Sequence, residues 1–203
     1  MSCVLVKSLK RPRIRGGIAR AALMEENLNV AGALAWSALQ AGPDASMEIL
    51  RTLKQGDDAR RLRAVRILVQ AERNEETDWF LCSALEDTSA AVRRVAALEV
   101  GEIGGVKAFH ELIAMIIEGD HDTEAADVLA ESEHWHDKVL ETIEFLVIDP
   151  DEDSEATVDT PARARLVQAL AEFEGSDELL EKLVSDPTPV VALTAKAILS
   201  TRG

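Results

Sequence analysis

The sequence contains few aromatic residues and no tyrosine. Three tryptophans and four phenylalanines are the only aromatic residues among 203, although 47% of the chain is hydrophobic. Its core must therefore be built from Ala, Leu, Val and Ile. The 11 glycines and 6 prolines fall at intervals, and no stretch keeps the apolar-polar alternation of a half-buried strand. These absences predict an all-α protein.

Cysteines and long apolar runs are also scarce. The two cysteines, Cys3 and Cys82, match no metal-binding or redox spacing, and we expect Cys82 to be buried. No window approaches the roughly 18 consecutive apolar residues of a membrane-spanning helix. The apolar run at residues 3–6 is too short for a secretion signal. A reduced, cytoplasmic protein is the expectation.

One spacing recurs along the chain: an aspartate followed six residues later by an arginine. The pairs are Asp57 with Arg63, Asp87 with Arg93, and Asp159 with Arg165. Each aspartate comes just before an alanine-rich helical segment, where its carboxylate can cap free backbone N–H groups. Each arginine falls further into that segment. A fourth copy of the pattern has Asp186, but Ala192 replaces the arginine.

The spacing divides the chain into two-helix units of about 30 residues, which cannot bury an apolar face alone and must stack. A basic arm at residues 1–15 precedes them. The predicted unit boundaries are 16–42, 43–73, 74–104, 105–133, 134–174 and 175–203.

Residues 85–105, LEDTSAAVRRVAALEVGEIGG, resemble a HEAT repeat of the short, phycobilisome-lyase type. The resemblance extends over residues 16–203, although the first and fourth units lack the Asp/Arg pair. It implies a single domain, a right-handed α-solenoid of about six repeats whose second helices line a concave face. By the same resemblance, the six paired residues form a structural ladder inside the solenoid, and Ala192 ends it.

Charge is spread unevenly along the chain, whose net charge is −15. Residues 1–70 contain 12 basic and 6 acidic side chains, whereas residues 71–203 contain 10 and 31. Such an asymmetry steers an oppositely charged partner and argues against duplex nucleic acid, whose phosphates the acidic part repels. The alternative explanation is solubility or a salt-adapted host.

Candidate partner-binding residues are the charged side chains that we expect to point outward. Near the basic end they are Arg60, Arg61 and Arg94, and at the acidic end they are Asp149, Asp151, Glu152, Asp153 and Glu155. The acidic run lacks the glycine and the final glutamate of an EF-hand loop, so we interpret it as a solvated loop and not as a calcium site.

No catalytic, cofactor-binding or metal-binding residue is predicted. The chain has no glycine-rich nucleotide loop and no Ser/His/Asp or Cys/His arrangement. His134 and His136 are two residues apart, and on a helix they point in different directions. The three tryptophans, Trp36, Trp79 and Trp135, are expected to fill the core.

The function that these observations favour is a non-catalytic scaffold or adaptor. It would present a concave, largely acidic surface to another protein with a basic patch. One alternative, implied by the lyase resemblance, is the handling of a bilin cofactor. Another is self-assembly, in which the basic first repeat docks on the acidic end of a second copy.

Overall fold

The computed structural model describes residues 12–25, 28–40, 43–148 and 158–203. Within these ranges the chain forms helices and turns but no strand, so the all-α prediction is confirmed. None of the described helices has the length and apolar character to span a membrane. The helices are α1 (Pro12–Met24), α2 (Leu28–Leu39), α3 (Pro43–Gln55), α4 (Asp58–Val69), α5 (Glu75–Ala84), α6 (Ala90–Val100), α7 (Gly105–Glu118), α8 (Asp122–Ala130), α9 (His136–Ile148), α10 (Thr160–Ala169), α11 (Asp177–Leu183) and α12 (Pro189–Arg202).

The helices form two compact units, residues 1–100 and 101–203. In the first unit, α1 pairs with α2, α3 with α4, and α5 with α6, while in the second α7 pairs with α8, α9 with α10, and α11 with α12. Within each unit the second helices of successive pairs also touch. Each predicted repeat contains one of these pairs, although α1 begins at Pro12, before residue 16. A single domain over residues 16–203 stays a prediction.

Small aliphatic residues fill the core, as the composition requires. The pair α1 and α2 buries Ala19, Ala22, Ala35 and Ala38, and most of the remaining buried side chains are Leu, Val and Ile. Contacts made through alanine methyl groups bring helix axes close together, and they leave little room for larger side chains.

Two of the repeated aspartates begin helices, and the capping prediction is confirmed for both. The carboxylate of Asp57 accepts a hydrogen bond from the backbone N–H of Arg60 at 2.9 Å, and that of Asp159 accepts one from Ala162 at 2.8 Å. Each satisfies a backbone donor that the first turn of an α-helix leaves unpaired. Asp57 and Asp159 are therefore the N-caps of α4 and α10.

The other two aspartates are held by buried arginines of a preceding helix pair. Arg61 of α4 donates from Nε to Oδ2 of Asp87 at 2.7 Å and from Nη2 to Oδ1 at 2.8 Å. Only 14% of the Arg61 side chain and 9% of the Asp87 side chain are exposed. This bidentate bridge ties α4 to the turn that precedes α6.

The second unit repeats the same arrangement. Arg163 of α10 donates from Nη2 to Oδ2 of Asp186 at 2.6 Å and from Nη1 to the hydroxyl of Thr188 at 2.8 Å. Its Nη2 also donates to the carbonyl of Val147, at the end of α9. The bridge thus joins α9, α10 and the turn before α12. We call these two contacts the arginine bridges.

The bridging arginines are not those of the predicted ladder. Arg61 and Arg163 follow their capping aspartates by four residues, whereas the ladder expected arginines six residues on. The three expected arginines, Arg63, Arg93 and Arg165, donate to the backbone carbonyls of Leu23, Asp87 and Ile116. At 3.6 residues per turn, a side chain four residues on lies about 40° around the helix from the cap, whereas one six residues on lies about 240° around it. The side chain four residues after the cap therefore faces the next helix pair, and the side chain six residues after it does not.

Breaking either bridge should destabilise the protein. We expect Arg61→Gln or Arg163→Gln to lower the free energy of unfolding by about 2–4 kcal/mol, because each change leaves a mostly buried carboxylate without its partner. The control is Arg66→Gln, an exposed position of α4, where a change within about 0.5 kcal/mol is expected. Urea unfolding monitored by circular dichroism measures all three, and equal effects at Arg61 and Arg66 would contradict the bridge.

Asp87 should also make stability depend on pH in the acid range. The hydrogen bonds from Arg61, helped by one from the backbone of Ser89, hold the pKa of this carboxyl below its ordinary value of 3.8. The stability that this contributes is present above the ordinary pKa and is lost as pH falls through the lowered folded-state pKa. The difference in unfolding free energy between wild type and Asp87→Asn should stay constant from about pH 5 to 8 and shrink below about pH 4. Urea titrations across this range test it, and a difference that shrinks above pH 5 would refute the assignment.

Candidate functional site

A cleft in the first unit brings three arginines together. Arg20 comes from α1, Arg51 from α3 and Arg60 from the first turn of α4, and together with Glu48 they line a cavity of about 260 Å³. We call it the arginine cleft. Its lining includes the hydrogen-bonding side chains of Thr52 and Gln55.

One carboxylate lies inside the arginine cleft, and it does not balance the three cations. Glu48, with 17% of its side chain exposed, accepts hydrogen-bonding contacts at 3.1 Å from Arg20, while Arg51 Nη1 lies 3.5 Å from it. Arg60 Nε lies 3.5 Å from Oδ2 of Asp57, which is mostly exposed. The side chains that line the cleft thus include three guanidinium groups and one carboxylate, an excess of positive charge.

The approach of α4 to α3 depends on Gly56. Its N–H donates to the carbonyl of Thr52 at 2.8 Å, which closes the end of α3. A Cβ at this position would lie 2.7 Å from that carbonyl oxygen and 3.1 Å from Cβ of Arg60. The absence of a side chain at residue 56 thus allows Arg60 to reach the cleft.

The second unit presents the opposite charge. Residues 101–203 contain 24 acidic side chains and 7 basic ones. Asp127 and Glu131 lie one turn apart at the end of α8, with Glu133 just beyond, and all three are exposed. Among the residues that the structure describes, no lysine or arginine forms an ion pair with any of them. We call these three residues the acidic face.

A further carboxylate and a histidine lie beside the acidic face. Glu131 and Glu133 line an open depression with Glu102 and His134, and Glu102 accepts a hydrogen bond from the hydroxyl of Ser132 at 2.7 Å. The nearest lysine in sequence, Lys138, lies instead over the ring of Phe109, with Nζ 4.1 Å from the ring centre. A cation–π contact thus holds this ammonium group.

The predicted partner-binding residues lie in different surroundings. Arg60 is exposed and lines the arginine cleft. The expectation that Arg61 points outward is wrong, because its guanidinium is bound by Asp87 in the arginine bridge. Arg94 is half-buried. The acidic candidates, Asp149, Asp151, Glu152, Asp153 and Glu155, lie outside the described residues, as does the basic arm up to residue 11.

Two of the three tryptophans lie on the surface. Trp36 is 53% and Trp79 is 59% exposed, whereas Trp135 is 3% exposed and packs edge-on against Phe109. The core prediction is therefore correct only for Trp135. Trp36 and Val30 are both exposed on α2, the helix that buries Ala35 and Ala38.

The cysteine and histidine side chains of the described ranges belong to no group that could hold a metal ion. We expected Cys82 to be buried, but it is only half-buried. This partial burial raises the pKa of its thiol. Cys3 lies outside the described residues. His121 lies 3.3 Å from Glu124, but no three His, Cys, Asp or Glu side chains of the described residues are close enough to share a metal ion.

Comparison with known proteins adds no assignment. No model of a protein family matches the chain, and a search of curated proteins finds no match either. The arginine cleft and the acidic face are therefore interpreted from their own chemistry.

The exposure of each tryptophan predicts how readily a soluble quencher reduces its fluorescence. Acrylamide should quench most of the emission, and the Trp36→Phe/Trp79→Phe double variant should show blue-shifted emission that resists quenching, because the indole of Trp135 is buried. Trp135→Phe is the matched variant and should keep only quenchable emission. Equal quenching of the two variants would contradict these positions.

Proposed function

We propose that this protein is a non-catalytic scaffold that binds a partner protein through an acidic surface. In this proposal the helix pairs stack as HEAT-like repeats into a right-handed α-solenoid. The partner carries a basic patch that meets the acidic face. The observation that carries the proposal is the exposure of Asp127, Glu131 and Glu133, none of which forms an ion pair with a lysine or arginine in the described part of the chain.

The arginine bridges support the repeat architecture. In each unit, a buried arginine of one second helix holds the turn that leads to the next second helix, with Arg61 reaching Asp87 and Arg163 reaching Asp186. The same contact at equivalent places of two units is typical of a structure that grows by stacking one supersecondary unit. Repeat proteins of this kind offer extended binding surfaces.

The position of the acidic face also supports a binding role. By the HEAT resemblance, second helices line the concave surface, and Asp127 lies on α8, the second helix of its pair. A small groove between α8 and the segment that begins with α10 is lined by polar side chains of both signs, among them Asp122, Arg165, Gln168 and Glu172. We infer that a partner would contact α8 first and extend towards α10.

The charge on this surface would act mainly on the rate and specificity of association. Uncompensated rim charges steer an oppositely charged protein and reject like-charged ones. The attraction weakens as salt shortens the screening length from about 10 Å at 0.1 M. A partner that depends on the acidic face should therefore be lost at high ionic strength.

The first experiment is affinity capture from native lysate at about 0.1 M and about 0.5 M salt, followed by identification and purification of the retained protein. Its Kd is then measured for wild type and for the variant Asp127→Asn/Glu131→Gln/Glu133→Gln. We expect the variant to bind about tenfold more weakly, because three rim charges contribute roughly 0.5 kcal/mol each.

The matched control removes three exposed charges from the first unit, with Glu72→Gln, Glu75→Gln and Glu76→Gln. It should leave the Kd within about twofold of the wild-type value. Equal weakening by both variants would show that net charge, and not the acidic face, attracts the partner. A coloured small molecule that copurifies with the protein would favour bilin handling, and salt-sensitive light scattering of the pure protein would favour self-assembly.

A further inference from the structure

We propose that the arginine cleft binds a phosphomonoester group. This site lies in the first unit and uses residues different from those of the acidic face. The proposal goes beyond the scaffold function, and either one stands if the other fails.

The arginine cleft supplies donors from three directions. Arg20, Arg51 and Arg60 lie on three different helices and all are substantially exposed, so their N–H groups reach an incoming ligand. A guanidinium presents its donors in a planar fork that matches the oxygens of a phosphate, and its charge persists at any physiological pH.

The contacts already made inside the cleft leave part of this capacity unused. Glu48 takes the two 3.1 Å contacts from Arg20. Arg51 and Arg60, by contrast, lie 3.5 Å from the nearest carboxylate oxygens, at the long end for a charge-assisted hydrogen bond. A second anion can therefore gain shorter contacts from Arg51 and Arg60.

The donor set favours a phosphate group over a carboxylate. A carboxylate offers two oxygens and one negative charge, and Glu48 already supplies one carboxylate to this cleft. Thr52 and Gln55 add neutral donors to the lining. A phosphomonoester has three strong acceptor oxygens and a charge close to −2 at neutral pH, so it satisfies more of these groups at once.

The size of the cleft limits the ligand. Its volume of about 260 Å³ is below the range of roughly 300–1,000 Å³ that is typical of drug-sized ligands. A single phosphate with a short attachment fits this space. The group can come from a free small phosphate ester or from a phosphorylated side chain, because both present the same chemistry.

The test is calorimetric titration of the full chain at constant ionic strength near 0.1 M. The probes are free phosphoserine, a short peptide that contains phosphoserine, and the same peptide with serine. We expect binding of at least one phosphorylated probe and no binding of the serine peptide. Tighter binding of the phosphopeptide than of free phosphoserine would identify a protein as the source, and equal binding would identify a small ester.

Matched variants separate the cleft from general charge. Arg51→Gln/Arg60→Gln should weaken phosphate binding at least about tenfold, as the loss of two charge-assisted contacts predicts. Lys54→Gln/Arg66→Gln removes two exposed cations from the same helices outside the cleft lining and should change the Kd less than about twofold. Equal loss in the two variants, or no binding of either phosphorylated probe at millimolar concentration, would overturn the proposal.

Two further readouts distinguish the ligand chemistry. Glu48→Gln should tighten binding, because it removes the carboxylate that competes for Arg20 and Arg51. Binding should also strengthen from pH 5.5 to 7.5 as the phosphomonoester loses its second proton near pH 6. Competition with anions provides the last control. If acetate displaces phosphoserine as effectively as inorganic phosphate does, the cleft is a carboxylate site and the proposal is wrong.

Discussion

Each unit of this protein depends on a buried arginine that crosses from one helix pair to the next and holds an aspartate. Removing two charges from water is costly, and a buried pair recovers that cost only when its geometry is good and its remaining donors are satisfied. Arg61 meets this condition by donating also to the carbonyl of Gly56. Arg163 meets it only in part, because it donates to Thr188 and to Val147 while its buried Nε has no hydrogen-bond partner. Each bridge thus ties the second helix of one pair to the turn that precedes the second helix of the next pair.

Alanine-rich packing has a consequence for the surface. Close helix contacts exclude bulky side chains, so part of the small aromatic content of the chain lies outside the core. Trp36 and Trp79 are the largest examples. The buried ring cluster of the second unit, with Trp135 against Phe109, shows the opposite outcome where longer side chains line the contact.

The two units differ chemically despite their common construction. The first gathers cations around one carboxylate in the arginine cleft, and the second exposes carboxylates on α8 and just after it. The two units therefore offer surfaces of opposite sign. Function depends on such exposed residues more than on the fold that carries them.

The sequence by itself determined the helical class and the capping role of Asp57 and Asp159, because apolar periodicity and cap preference are local properties of the chain. Only the tertiary structure decided that Arg61 binds the carboxylate of Asp87 while Arg93 donates to its backbone carbonyl, and that Trp36 and Trp79 face solvent. The neighbouring positions 61 and 63 are equally arginine in the sequence. Their roles separate only when the rotation of α4 directs one towards the next pair and the other towards the carbonyl of Leu23, and that rotation is set by contacts between residues distant in the chain.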